Sequence, residues 1–140
     1  MGVRDYLIMT RFFCTMGHLI ATLILFQTIR INVGLSFQDN ASSNEIQVAY
    51  QTAMGALSFS LLCFIVDIYG AISGTSIFHN SLNLIQIAFH FVGGIFLSWL
   101  ITENWNYLAL WPIVISTNLP PALAEITLLV MNGITKNVLY

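Results

Sequence analysis

Charge is what this chain lacks most. Of its 140 residues only 7% are Asp, Glu, Lys or Arg, against about 25% in a soluble globular domain. The four basic and six acidic residues, a net of −2, form no basic patch, so a nucleic-acid partner has no electrostatic footprint to bind. Cysteine is scarce too. Cys14 and Cys63 fall in separate apolar runs, which argues against a disulfide framework and leaves them as small packing residues, Cys14 being close enough to a membrane edge for palmitoylation. A Gly-rich phosphate loop, a G-x-S-x-G nucleophile turn and a Cys-x-x-Cys pair are all missing, so no cofactor is expected. Tyr6 stands where a myristoylation signal needs Ser or Thr, and no lipid anchor is implied.

What is present is apolar surface. Hydrophobic residues make up 57% of the chain and gather into four stretches, Phe12 to Ile29, Val48 to Ile72, Leu82 to Ile101 and Leu108 to Met131. Each is near the ~20 residues that cross a bilayer core. Lipid offers no hydrogen bonds to exposed backbone, and the ten-residue alternation of a barrel strand is missing, so the runs must be helices. The expected fold is all-α: residues 1–140 form a single four-helix membrane domain with spans at about 12–29, 48–72, 82–101 and 108–131. The connections are too short to fold alone. Arg4 and Arg11 before the first run imitate a signal peptide, but the run exceeds a 7–15-residue apolar core and lacks an A-x-A site, which marks it as a retained span.

Local signals refine the picture. Ser42-Ser43-Asn44-Glu45 fits a capping box that would start the second helix a turn before the membrane. Pro112 and Pro120-Pro121 interrupt the last run and predict a bend. Arg4, Arg11 and Lys136 fall on one side of an even number of spans and only Arg30 on the other, which predicts cytoplasmic termini. The opposite side then carries Asp39, Glu45 and Glu103 and the sequon Asn40-Ala41-Ser42, making Asn40 a glycosylation candidate. Trp99, Trp105, Tyr107 and Trp111 gather at the third connection, where amphipathic rings anchor helices at the interface.

Each run also holds one ionisable side chain in its interior: His18, Asp67, His90 and Glu125 in turn. Counting ~1.5 Å per residue from the cytoplasmic ends places them in one stratum, roughly 8–15 Å deep. Helical spacing puts Ala53, Ala56, Ser60, Cys63, Asp67, Gly70 and Gly74 on one stripe, and Asn83, Gln86, His90, Gly94 and Ser98 on another. Gly70, Gly74, Gly93 and Gly94 are the candidate packing residues, since membrane helices approach closely through small side chains. An ionised carboxylate at such depth costs ~3 kcal/mol or more, so Asp67 and Glu125 should point into the bundle and either protonate or pair with His18 and His90. Three readings of the layer compete. One is a structural hydrogen-bonded core; the second uses the carboxylates as proton donors and acceptors; the third is a metal site, for which no H-E-x-x-H or H-x-x-E spacing exists. No metal is expected.

Read end to end, the chain resembles the transmembrane protein 107 family, small tetraspan proteins of the ciliary transition zone. The likeness rests on Arg11-Phe12-Phe13 followed by His18-Leu19, the Ser73-Gly74-x-Ser76-x-Phe78 turn, Leu84-Ile85 leading to His90, Glu103-x-Trp105, and Leu119-Pro120 leading to Glu125. The resemblance implies a non-enzymatic component of the Meckel-syndrome module, with other transition-zone membrane proteins and membrane lipids as partners. It further implies a part in cilium formation, in ciliary membrane composition and in Hedgehog-type signalling. The neutral first loop and a tail with only Lys136 depart from the more basic end expected of the family. The alternative from the residues themselves is a small-lipid or sterol-binding or isomerising protein, in which Asp67 and Glu125 share a cavity and exchange a proton.

Overall fold

The computed structural model describes residues 2–37 and 42–138, the last four of these by backbone alone. Five α-helices make four rods: α1 (Val3–Leu35), α2 (Ser43–Ile72), α3 (Asn80–Thr102), and a fourth rod of α4 (Leu110–Thr117) followed by α5 (Leu119–Val138), entered through a short 3-10 turn at Tyr107–Ala109. All four rods are long and apolar enough to cross a membrane. The first two overrun the expected spans by several residues, and at ~1.5 Å per residue α1 reaches ~50 Å, more than the ~30 Å of hydrocarbon. Asp39, Asn40 and the Lys136 side chain lie outside the described residues.

The ends follow from local chemistry. Ser42 Oγ accepts from the Glu45 amide at 3.3 Å while the Glu45 carboxylate accepts from the Ser42 amide at 2.8 Å, the reciprocal cap the sequence foretells. Past the C-terminus of α2, Gly74 has φ 73° and its amide donates to the Ala71 carbonyl, while the Ser73 and Thr75 hydroxyls both donate to the Gly70 carbonyl. Gly74 therefore terminates a helix in the left-handed conformation. This differs from the expected packing role, because the stripe ends where the helix does. Asn104 takes the equivalent position after α3 at φ 50°, with the Trp105 amide closing on the Leu100 carbonyl.

Proline shapes the fourth rod differently from a simple kink. Pro112 is the third residue of α4, and Pro120 and Pro121 are the second and third of α5. All three fall in first turns, where an amide has no intrahelical acceptor to lose. The rod is thus divided at Asn118 (φ −104°). Its amide still donates to the Val114 carbonyl and its carbonyl still accepts from Ala122, so the backbone ladder runs on through the break.

Around the bundle, α1 packs on α2 and most extensively on α3, and the fourth rod closes the ring against α2 and α3. Consequently α1 and α5 face each other across one diagonal, and α2 and α3 across the other. Half of the interior is largely apolar: Ala21, Leu25, Ile29, Val33, Ala49, Ala53, Ala56, Leu57, Leu97, Leu100, Leu110 and Ile113 form one cluster, toward the ends joined to the α3–α4 connection. Alanines at 49, 53 and 56 let α2 approach its neighbours, the close contact that holds helices together in lipid. Large apolar side chains such as Phe12, Leu62, Ile65, Phe91 and Val130 face outward, as a hydrocarbon solvent requires. We predict that Gly74→Ala, which forces an L side chain into the left-handed region, lowers stability by about 1 kcal/mol. Gly17→Ala, with no atom within 4 Å of the added methyl, should leave it unchanged in the same detergent unfolding series.

Candidate functional site

The other half of the interior is polar. His18, Asp67, His90 and Glu125 all point inward, none more than 2% exposed, and they belong to one connected network. His90 Nδ1 lies 3.2 Å from His18 Nδ1. On its other side His90 Nε2 meets Gln86 Oε1 at 2.9 Å and Asp67 Oδ2 at 3.3 Å. The Gln86 amide nitrogen then reaches three acceptors: Glu125 Oε1 at 3.1 Å, and Asp67 Oδ1 and the Pro121 carbonyl at 3.3 Å each. Phe64 seals the pair of imidazoles, stacked on His90 and edge-on to His18.

Arg11, which the sequence reading used for orientation, completes the network. It is only 4% exposed. Nη2 donates to Glu125 Oε1 at 2.5 Å, and Nη1 donates to Ser76 Oγ at 3.0 Å and Asn83 Oδ1 at 2.9 Å. The partner of Glu125 is thus an arginine and not a histidine. A guanidinium matches this demand because it stays charged and offers several donors in a fixed plane. Asn83 passes the tie on by donating to the Ile77 carbonyl at 2.9 Å, which fastens the α2–α3 turn to α1. The sequence held a signal for this: Arg11, Thr15, His18 and Thr22 recur at helical spacing, and all four are buried.

Both diagonals of the bundle are bridged by these side chains. Arg11 and Glu125 span α1 to α5, while Asp67 with His90 and Gln86 spans α2 to α3. A smaller polar contact, in which Asn118 donates to Ser60 Oγ, joins α2 to the break in the fourth rod. Two glycines make room for the larger groups. A Cβ on Gly70 would overlap the Glu125 carboxyl, and one on Gly93 would overlap the His18 imidazole. Gly94 is different: a Cβ there would sit 3.6 Å from His18 Cα, an ordinary contact.

Two cavities flank the network. One of about 540 Å³ lies between α1 and α3, lined in part by Cys14, Gly17, His18, His90, Gly94 and Trp99. Another of about 190 Å³ lies between α1 and α2, lined in part by Arg11 and Asp67. Glu125 lines neither, so neither places both carboxylates on a shared ligand, as the lipid-isomerising alternative requires. Among the described residues no group of three or more His, Cys, Asp and Glu is placed to hold a metal ion.

We predict that Glu125→Leu, which strands the buried Arg11 cation, costs about 3 kcal/mol or more. The Arg11→Met/Glu125→Leu double variant should cost less than the sum of its single changes, a coupling that unfolding in detergent reads directly. Gly93→Ala should destabilise by about 1–3 kcal/mol through overpacking on His18; Gly94→Ala should not.

No solved structure matches this chain. Curated proteins do. The chain is 29% identical to transmembrane protein 107 of Homo sapiens, 28% to that of Rattus norvegicus and 27% to that of Mus musculus, each over 130 residues and 93% of both chains. The family model described as TMEM107, transmembrane protein, matches residues 7–129. That match reaches all four rods and takes in every member of the buried network, and the chain belongs to the transmembrane protein 107 family.

Proposed function

We propose that this protein is a non-enzymatic membrane component of the ciliary transition zone. In this reading it anchors or helps assemble the Meckel-syndrome module, and thereby controls cilium formation and the protein composition of the ciliary membrane. Both termini face the cytoplasm. Its partners are other transition-zone membrane proteins, met through lateral helix contacts, together with the surrounding lipids. Family membership supports the setting. The observation that carries the mode of action is the division of labour between the two faces of the helices. The strongly polar side chains are used up inside the bundle, while the outward flanks are apolar and the connections are short. In this reading those flanks are the surface offered to a large assembly. Small residues then matter more than charges, since lipid gives helices no hydrophobic reason to associate.

On this account the polar network holds the shape that the flanks present. We predict that a tagged chain concentrates with a transition-zone marker in ciliated cells, and that Asp67→Leu reduces this concentration together with protein level. A diffuse endoplasmic-reticulum pattern of the stable wild-type protein would contradict the assignment.

A further inference from the structure

Along the seam between α1 and α3 the cavities are not isolated. The two helices run side by side in the same direction, with His18 beside His90 and Asn32 beside Trp105, just past the end of α3. The cavity of about 540 Å³ shares Gly17, Ser98 and Thr102 with a second of about 280 Å³, which in turn shares Ile101 with a third of about 190 Å³. Together they form one trough. Its rim faces lipid, since Phe13, Phe91 and Trp99 are all largely exposed. From Gly17 to Asn32 the trough runs ~22 Å at ~1.5 Å per residue, over half of the ~30 Å of hydrocarbon.

Its largest part has a glycine floor. A Cβ on Gly17 would meet nothing within 4 Å, and one on Gly94 would meet His18 only at an ordinary 3.6 Å. Packing within this chain therefore requires neither glycine, although each is less favourable than alanine inside a helix. The end toward the α3–α4 connection is polar instead. There the smallest cavity is lined in part by Thr28, Asn32 and Asn104. Asn32 is 5% exposed, and its Oδ1 has no hydrogen-bond partner. Its Nδ2 donates to the Trp105 carbonyl at 3.4 Å, which marks the oxygen as the free end. The Thr28 hydroxyl gives its hydrogen to the Ile24 carbonyl, so it too presents an acceptor. This end of the trough is built for a donor. Among the described residues no Lys, Arg, Asp or Glu lines any of the three cavities, so the donor is uncharged and carries no phosphate.

We propose that the trough is a binding site for a sterol, its hydroxyl donating to Asn32 Oδ1 and its flat ring system lying over Gly17 and Gly94. A hydroxyl is a small uncharged donor, and a fused-ring body has little freedom to lose on binding. A neighbouring helix, ~10–12 Å across with its amides already paired, would ride over the trough without reaching the free oxygen. His18 Nε2, the other unpartnered atom among the residues lining the trough, belongs to its inner end, where a lipid hydroxyl would have to leave the polar interface. The site uses neither Asp67 nor Glu125 and involves no chemical step, and it stands apart from the assembly role.

Photolabelling of the full chain in lipid nanodiscs with a diazirine-bearing sterol tests it. We expect labelling on α1 and α3 that excess unlabelled sterol removes. The ketone of the same sterol, which accepts but cannot donate, should compete about tenfold more weakly. Gly17→Leu, which places a side chain in the trough where there is room for it, should lower labelling about tenfold with thermal unfolding unchanged. No labelling of the wild-type protein would overturn the proposal, as would undiminished labelling of folded Gly17→Leu. Equal competition by the ketone would also overturn it, and so would equal competition by ceramide, a two-chain lipid with its own donors. Should Gly17→Leu fail to fold, the competition series on the wild-type protein decides alone.

Discussion

The contact between Arg11 and Glu125 is the one on which the rest of the structure turns. A guanidinium and a carboxylate inside a membrane cannot be left apart, because each alone carries a penalty of several kcal/mol. Their meeting draws together α1 and α5, two helices that are not neighbours around the ring. Once they meet, the four rods have little freedom to rearrange. Asn83 and Ser76 attach the α2–α3 turn to the same guanidinium, and Gln86 links the Glu125 carboxylate to Asp67 and His90.

The bundle therefore uses two kinds of adhesion in its two halves. Toward the α3–α4 connection, alanines and leucines pack closely, with Asn32 the buried amide among them, its nitrogen donating to the Trp105 carbonyl at 3.4 Å. Near the α2–α3 turn, directional bonds specify which helix faces which. Packing alone tolerates register shifts of a helix, whereas a bifurcated amide and a charged fork do not. Glycine is the accommodation that links the two: Gly70 and Gly93 give up side chains where Glu125 and His18 need space.

Much of this was legible in the residues, and the limits have physical reasons. Four apolar runs imply four helices because lipid permits little else, and the Ser42–Glu45 cap could be placed to the residue because its chemistry is local. The inward orientation of His18, Asp67, His90 and Glu125 followed from the cost of the opposite. Arg11 was harder. A cation near the start of a span is equally suited to the membrane edge, and only its helical phase with Thr15, His18 and Thr22 sets it inside. The pairing pattern was not legible either. Which carboxylate meets which base depends on ring order, and sequence alone does not say that α2 and α3, joined by a tight turn, sit on a diagonal. Gly74 shared the stripe's spacing, yet its positive φ belongs to the turn.

The central claim is that helices across the diagonal are held by a direct ion pair in the bilayer. Solid-state NMR of the chain reconstituted in lipid, measuring dipolar coupling between the arginine guanidinium nitrogens and the glutamate carboxyl carbons, addresses it most directly. The account predicts strong coupling between Arg11 and Glu125, lost when either residue is replaced. Absence of that coupling in the folded wild-type protein would contradict it.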